Sequence, residues 1–189
     1  MKHTHSRIAE FDFRWPARPL EIVLANPEIP PNTGNVARLC AATGSRLNLV
    51  EPMGFRLDNA KLRRAGLDYW DALEVRVHGS WEACVESLGG WREGRWHLYS
   101  TGSGRRYDQA EYREGDVLVF GCETKGLPEE LLAAHRESVR GIPMRTEFVR
   151  SLNLSTAVGI VVYHVLGRLD AAGRAEKGMT GMGRDDRDV

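Results

Sequence analysis

Short apolar runs recur along the chain with helix-like segments between most of them, and this alternation restricts the fold more than any other feature. The runs cover residues 21–25, 46–50, 73–77, 96–100, 117–120 and 139–142. Helical spacing is read over 33–43, 59–65, 81–88, 128–135 and 154–169. In the first of these segments Val36, Leu39, Cys40 and Thr43 share a face, and Gly44 suits a left-handed stop. Pro128 ahead of Glu129 and Glu130 makes a favourable opening turn, with φ preset and acids near the positive helix end. Strands that alternate with helices pair in parallel, so a single α/β domain with a mainly parallel sheet is expected.

The 189 residues are enough for one well-buried core. Residues 1–18 read as an N-terminal arm and 19–170 as the domain. Residues 171–189, with their polar, glycine-rich "AEKGMTGMGRDDRDV", read as a disordered tail. No apolar run approaches the roughly 20 residues of a membrane span. The start has no signal-peptide core. Cys40, Cys84 and Cys122 lie far apart without a CxxC, which favours reduced thiols and a cytoplasmic location over a disulfide framework. The histidines show no metal-ligand spacing beyond His3 and His5, so no metal is expected. With a formal net charge of zero, any nucleic-acid binding must rest on a local patch.

Ligands in open α/β sheets bind in the loops beyond the carboxyl ends of the strands. Three such loops here are rich in special residues. The first is "NPEIPPNTGNVARLC", in which two prolines stiffen the approach and Asn32-Thr33-Gly34-Asn35 offers a helix cap and amides. Arg38 follows one turn into the expected helix, where the dipole disfavours a cation unless an anion binds between it and the helix N-terminus. The second is "FGCETKGLP", where Gly121 and Gly126 permit tight turns or close approach and Glu123 can accept from an amine or hydroxyl. The third is "IPMRTEFVRSLNLSTAV", which sets Arg150, Ser151, Asn153 and Ser155 before an apolar helix, with Asn153 as the N-cap and Ser151 or Ser155 as competitors. No GxGxxG, Walker or GxSxG signature is present. Residue chemistry alone therefore indicates a polar cleft that favours an anion or a small polar ligand.

In their order and spacing these three loops resemble the motifs of the SPOUT (TrmH-type) RNA 2′-O-methyltransferases. "LVEPMGF" and "LRRAGLDYW" are further matches, to the TrmL-like subgroup that acts on the tRNA wobble ribose. The resemblance runs from about Glu21 to Leu169 and departs at "MRTEFVRS", which is slightly longer than the usual segment between Pro-Met and Arg-Ser. It implies a C-terminal trefoil knot, a class IV methyltransferase-like fold, S-adenosylmethionine as cofactor and a homodimer. The implied reaction is 2′-O-methylation of the wobble cytidine or uridine in the anticodon stem-loop of tRNA, with leucine isoacceptors expected. The alternatives are another tRNA or rRNA position, a non-catalytic RNA-binding SPOUT module, or a small-molecule-binding regulator.

Carried over by position, the implied cofactor pocket is Tyr99, Ser100 and Thr101, then Gly121, Glu123 and Gly126, then Ile142, Pro143 and Met144, and finally Ser151, Leu152 and Asn153. Arg38 is the implied central catalytic residue, reaching a cofactor held by the other chain, with Ser151 and Asn153 orienting the reacting groups. RNA contacts are expected from Asn35, Arg38, Lys61, Arg63, Arg64 and Arg150, with Tyr69 or Trp70 stacking a base or packing at the dimer seam.

Overall fold

The computed structural model describes residues 10–56 and 73–181. Its framework is a six-stranded sheet of β1 (Glu21–Ala25), β2 (Arg46–Val50), β3 (Val75–His78), β4 (Trp96–Tyr99), β5 (Val117–Phe120) and β6 (Val139–Arg140). The strands lie in the order β3-β2-β1-β5-β4-β6 and every pairing is parallel. Among the described residues four α-helices accompany them: α1 (Pro30–Thr43), α2 (Trp81–Ser87), α3 (Glu129–Ala134) and α4 (Leu154–Gly181). Central strands buried on both faces must be apolar throughout, and β1, β4 and β5 are buried along their whole length.

One face of the sheet, with Ile22, Leu24, Leu47, Leu49, Leu118 and Phe120, packs on α1 and α4. Helix α4 presents Val158, Val161, Val162, Val165 and Leu166 to it, all fully buried. At about 1.5–3 kcal/mol for each such side chain, this stripe is a main source of the fold's stability. The opposite face, with Val23, Val50, Val119 and Leu98, packs on α2 and on Leu127. A polar row crosses that second face. Asn48 donates to Glu21 (2.9 Å) and meets His78 Nε2 at 3.0 Å, while Arg46 pairs with Glu21 at 3.0 Å. Each buried polar side chain of this row thus finds a partner, as burial requires.

Several boundaries differ from those read in the sequence. Helix α1 starts at Pro30, with Ile29 as a cap residue that contributes no side-chain bond. Two prolines at the first helical positions lose nothing, because amides there have no intrahelical acceptor. Strand β6 is only two residues long, because the chain turns away at Gly141 and Pro143 has no amide to donate. Helix α4 continues to Gly181, through residues expected to be a tail. Its extension is held by the N-terminal arm: the Arg14 amide donates to Asp170 (2.9 Å), and Arg174 bonds both Asp170 (3.0 Å) and Asp12 (2.9 Å). Phe13 packs against the core beside them. The helix expected at 59–65, with Lys61, Arg63 and Arg64, and the aromatics Tyr69 and Trp70 beyond it lie outside the described residues.

Candidate active site

The loops that leave β4, β5 and β6 meet the N-terminal ends of α1 and α4 around a cavity of about 500 Å³. Tyr99, Ser100 and Thr101 line it from the first loop, Gly121, Glu123 and Gly126 from the second, and Ile142 and Met144 from the third. Ser151, Leu152 and Asn153 complete the wall ahead of α4. Of the expected cofactor residues, Pro143 alone is not in the lining. Arg150, expected to contact RNA, is part of the wall.

The β5 exit folds back on itself. A Cβ at Gly121 would coincide with the backbone of Gly126 and Leu127, and Gly126 has φ +72° while its amide donates to Cys122 O (2.9 Å). These glycines shape the loop itself. Of the two roles expected for these glycines, this geometry requires the tight turn at Gly121, and both residues line the cavity.

Glu123 faces the start of α1. Its carboxylate accepts from the amides of Glu28 (2.8 Å) and Ile29 (3.3 Å) and from Asn32 Nδ2 (2.9 Å). Glu28 reciprocates, accepting from the Thr124 amide (3.1 Å) and hydroxyl (2.9 Å). An internal carboxylate therefore sits at the helix start where the sequence suggested an external anion, and it takes the amides of Glu28 and Ile29 ahead of the helix, not those of residues 32–35. Asn32, 5% exposed, joins this cluster to the third loop by accepting from Asn153 Nδ2 (2.8 Å). Asn153 Oδ1 caps α4, taking the amides of Ser155 (2.9 Å) and Thr156 (3.3 Å). The Ser155 hydroxyl donates to the same oxygen at 2.8 Å, so it supports the cap and does not compete with it. Both ends of the Asn153 amide are thus engaged in holding two helices together.

Tyr99 forms the β4 side. Its ring stacks on Phe120 at 4.6 Å and 13°. Tyr112 gives its proton to Tyr107 O (2.6 Å), so the Tyr99 hydroxyl is the donor to Tyr112 across 3.2 Å. Burial holds the Tyr99 phenol well above its ordinary value, and it stays neutral. Ser100 continues the ladder by donating its amide to Arg140 O (2.9 Å), and its hydroxyl accepts from the Gly102 amide (3.3 Å).

Arg38 and Asn35 are exposed on α1, away from the buried side of Val36, Ala37 and Cys40, and neither lines this cavity. Because α1 begins at Pro30, Arg38 lies beyond its second turn, past the reach of the N-terminal dipole, and the dipole argument for it no longer applies. Sequence reasoning also passed over wall residues Ile29, Asn32, Cys122, Lys125 and Leu132. Asn32 carried a signal, since it stands in the stretch singled out, but it reads as a cap until α1 is known to start three residues earlier.

The SpoU rRNA Methylase family matches residues 19–163, which takes in all three loops and most of the sheet-packing part of α4. The chain belongs to this SpoU (SPOUT) family. Relatives are similar over nearly their whole length. The tRNA (cytidine(34)-2′-O)-methyltransferase of Methylovorus glucosotrophus (strain SIP3-4) is 46% identical over 157 residues, covering 81% of this chain and 97% of the relative. The enzyme of the same name from Burkholderia cenocepacia (strain HI2424) is 51% identical over 144 residues, covering 75% and 90%. That of Escherichia coli (strain K12) is 45% identical over 155 residues, covering 82% and 96%. A solved structure described as giving structural insights into the 2-OH methylation of C/U34 on tRNA superposes with a TM-score of 0.73 at 46% identity, covering 80% of this chain and 97% of that one. The SpoU methyltransferase AviRb from Streptomyces viridochromogenes, solved in complex with AdoMet, shares the fold at a TM-score of 0.67 and 19% identity, over 82% of this chain and 60% of that one. As a SpoU methylase, the chain has its cavity at the carboxyl ends of parallel strands, where an open α/β sheet binds ligands.

Proposed function

We propose that this chain is a tRNA 2′-O-methyltransferase that uses S-adenosylmethionine to methylate the ribose of the wobble nucleotide, cytidine or uridine 34. The observation that carries the reading is near-full-length identity of 45–51% to relatives that bear this name. The cavity supports the cofactor: about 500 Å³ is within the range of roughly 300–1,000 Å³ for small-molecule sites. Its wall offers apolar surface from Phe120, Leu127 and Ile142, a hydroxyl at Ser151, and a cation at Lys125 suited to the cofactor's carboxylate.

When bound, S-adenosylmethionine supplies an electrophilic methyl group that the ribose 2′-oxygen displaces in line, with loss of one proton. The protein's part is alignment and electrostatics. The Glu123–Asn32–Asn153 chain fixes two loops and two helix starts relative to each other, so the wall is rigid before substrate arrives. Asn153 acts as a positioning residue, and Ser151, exposed in the wall, orients the reacting groups. Arg38, with Asn35 beside it, clamps a phosphate and draws the hydroxyl toward its ionised form; a guanidinium is not deprotonated in proteins, so it is not the base.

A homodimer and a trefoil knot belong to this reading. Arg38 is absent from the cavity of its own chain, which supports its delivery by a second copy. The return of the chain from edge strand β6, past the cavity wall, to α4 on the central strands supports a threaded C-terminal segment. The proposed domain is residues 19–170, the substrate element is the anticodon stem-loop, and the setting is the cytoplasm. Lys61, Arg63, Arg64 and Arg150 remain the proposed further RNA contacts. The test is methyl transfer from labelled S-adenosylmethionine to total tRNA, leucine isoacceptors first, followed by mapping of ribose methylation. Methylation confined to rRNA or to another tRNA position would refute the assignment.

A further inference from the structure

The segment between Met144 and Arg150 is anchored at both ends in the cavity wall, yet residues 145–149 are all exposed. Its turn at 146–148 presents Phe148 with 84% of its surface open, the largest exposure among the exposed large hydrophobics of the described residues. Val149 beside it is 50% exposed. An isolated exposed apolar residue is ordinary, but an aromatic ring on a loop whose two ends line the cavity, bracketed by Arg145 and Arg150, is a distinct combination. Arg46, Arg76, Arg95, Arg105, Arg106 and Arg174 are paired with carboxylates. Arg145 and Arg150 have no such ion pair among the described residues, although Glu147 belongs to the same turn. Cations without internal partners on both sides of an open ring match an unpaired nucleotide, whose base offers a π-face and whose backbone offers phosphates.

We infer that Phe148 stacks on an unpaired base of the tRNA beside the ribose being methylated, with Arg145 and Arg150 holding the flanking phosphates. The inference rests on the tRNA methyltransferase reading and names the residue that selects an unstacked nucleotide. Where the reacting nucleotide turns out of the loop's stack to bring its 2′-oxygen to the cavity, an aromatic ring beside it replaces the stacking that its base gives up.

The test compares Phe148→Ala, Phe148→Leu and Phe148→Trp in the full chain. With a tRNA transcript, Ala and Leu variants should lose about tenfold or more in kcat/KM, mainly through KM for tRNA, while calorimetry shows unchanged S-adenosylmethionine affinity. Phe148→Trp should recover most of the loss, and an anticodon stem-loop RNA should quench its fluorescence beyond the change seen with the native tryptophans. Three results would each overturn the inference: Phe148→Leu matching the native enzyme, Phe148→Ala within about twofold of it, or no extra quench. A change in sedimentation of Phe148→Ala would do so too, since the ring would then be covered by a second copy. Should the native protein methylate no tRNA, the methyltransferase reading fails on its own, and the quench still decides the stacking.

Discussion

Glu123 determines how the β5 exit meets the start of α1. Three donors converge on its carboxylate, two of them amides that have no partner within the helix. Glu123→Gln preserves shape but removes the charge and turns one acceptor into a donor. Charge-assisted bonds of this kind contribute roughly 1.5–3 kcal/mol each, so chemical denaturation should show a loss on the order of 2 kcal/mol, with weaker cofactor binding by calorimetry. An unchanged midpoint would mean that solvent satisfies those amides equally well. Arg38 has the contrary profile, exposed and outside the wall. Arg38→Ala should fold and bind S-adenosylmethionine normally but lose about 3 kcal/mol of transition-state stabilisation, a hundredfold or more in rate. Arg38→Lys should recover little, since it keeps charge without the planar fork. A single-turnover rate for Arg38→Ala within about threefold of native would remove Arg38 from the mechanism.

At the scale of elements, the β5 exit loop and α4 carry the sharpest expectations. Gly121→Ala would drive a methyl group into the backbone of Gly126 and Leu127, so the loop must shift and the melting temperature must fall. Gly126→Ala meets no neighbour but must adopt φ +72°, a strain of about 1–2 kcal/mol. If Gly121→Ala proved the milder of the two, the folded-back loop would be wrong. The far end of α4 depends on charge. The Asp170 carboxyl is held below its ordinary value of 3.8, first by the Arg14 amide and then by Arg174. Because the folded value is depressed, the contribution is present above 3.8 and fades as pH falls through the lower folded value. Hydrogen exchange along residues 170–175 should accelerate in that acid window, and in Asp170→Asn it should be faster already at neutral pH without that acid step. The strands were plain in the sequence, since buried parallel strands read as apolar runs, and so was Gly44, found at φ +67°. The start of α1 was not, because Pro30 and Pro31 suit a stiff approach and a first turn equally. The extent of α4 was hidden for another reason: the arm that holds it is more than 150 residues away, and the pairings of Arg14 with Asp170 and Asp12 with Arg174 leave no local pattern.

For the whole molecule, the three polar loops were recognisable as one site because all of them follow strands of one parallel sheet. The way they join, through Glu123, Asn32 and Asn153, depends on a helix register that composition does not reveal. If Arg38 serves the cavity of a second copy, Arg38→Ala and a cavity-blocking variant at an exposed wall position such as Ser151→Trp should each be inactive alone yet regain activity when mixed and allowed to exchange subunits, because one complete site forms in each hybrid. Sedimentation should show a dimer at micromolar concentration, and an active monomer would contradict the arrangement. The central claim is that this fold methylates the wobble ribose, and it is tested most directly on defined tRNA. Purified protein, labelled S-adenosylmethionine and tRNA transcripts that differ only at nucleotide 34 should give one methyl group per transcript, at the 2′-oxygen of that nucleotide and lost when its ribose is 2′-deoxy. Transfer that persists on the 2′-deoxy substrate, or that maps to any other position, would contradict the account.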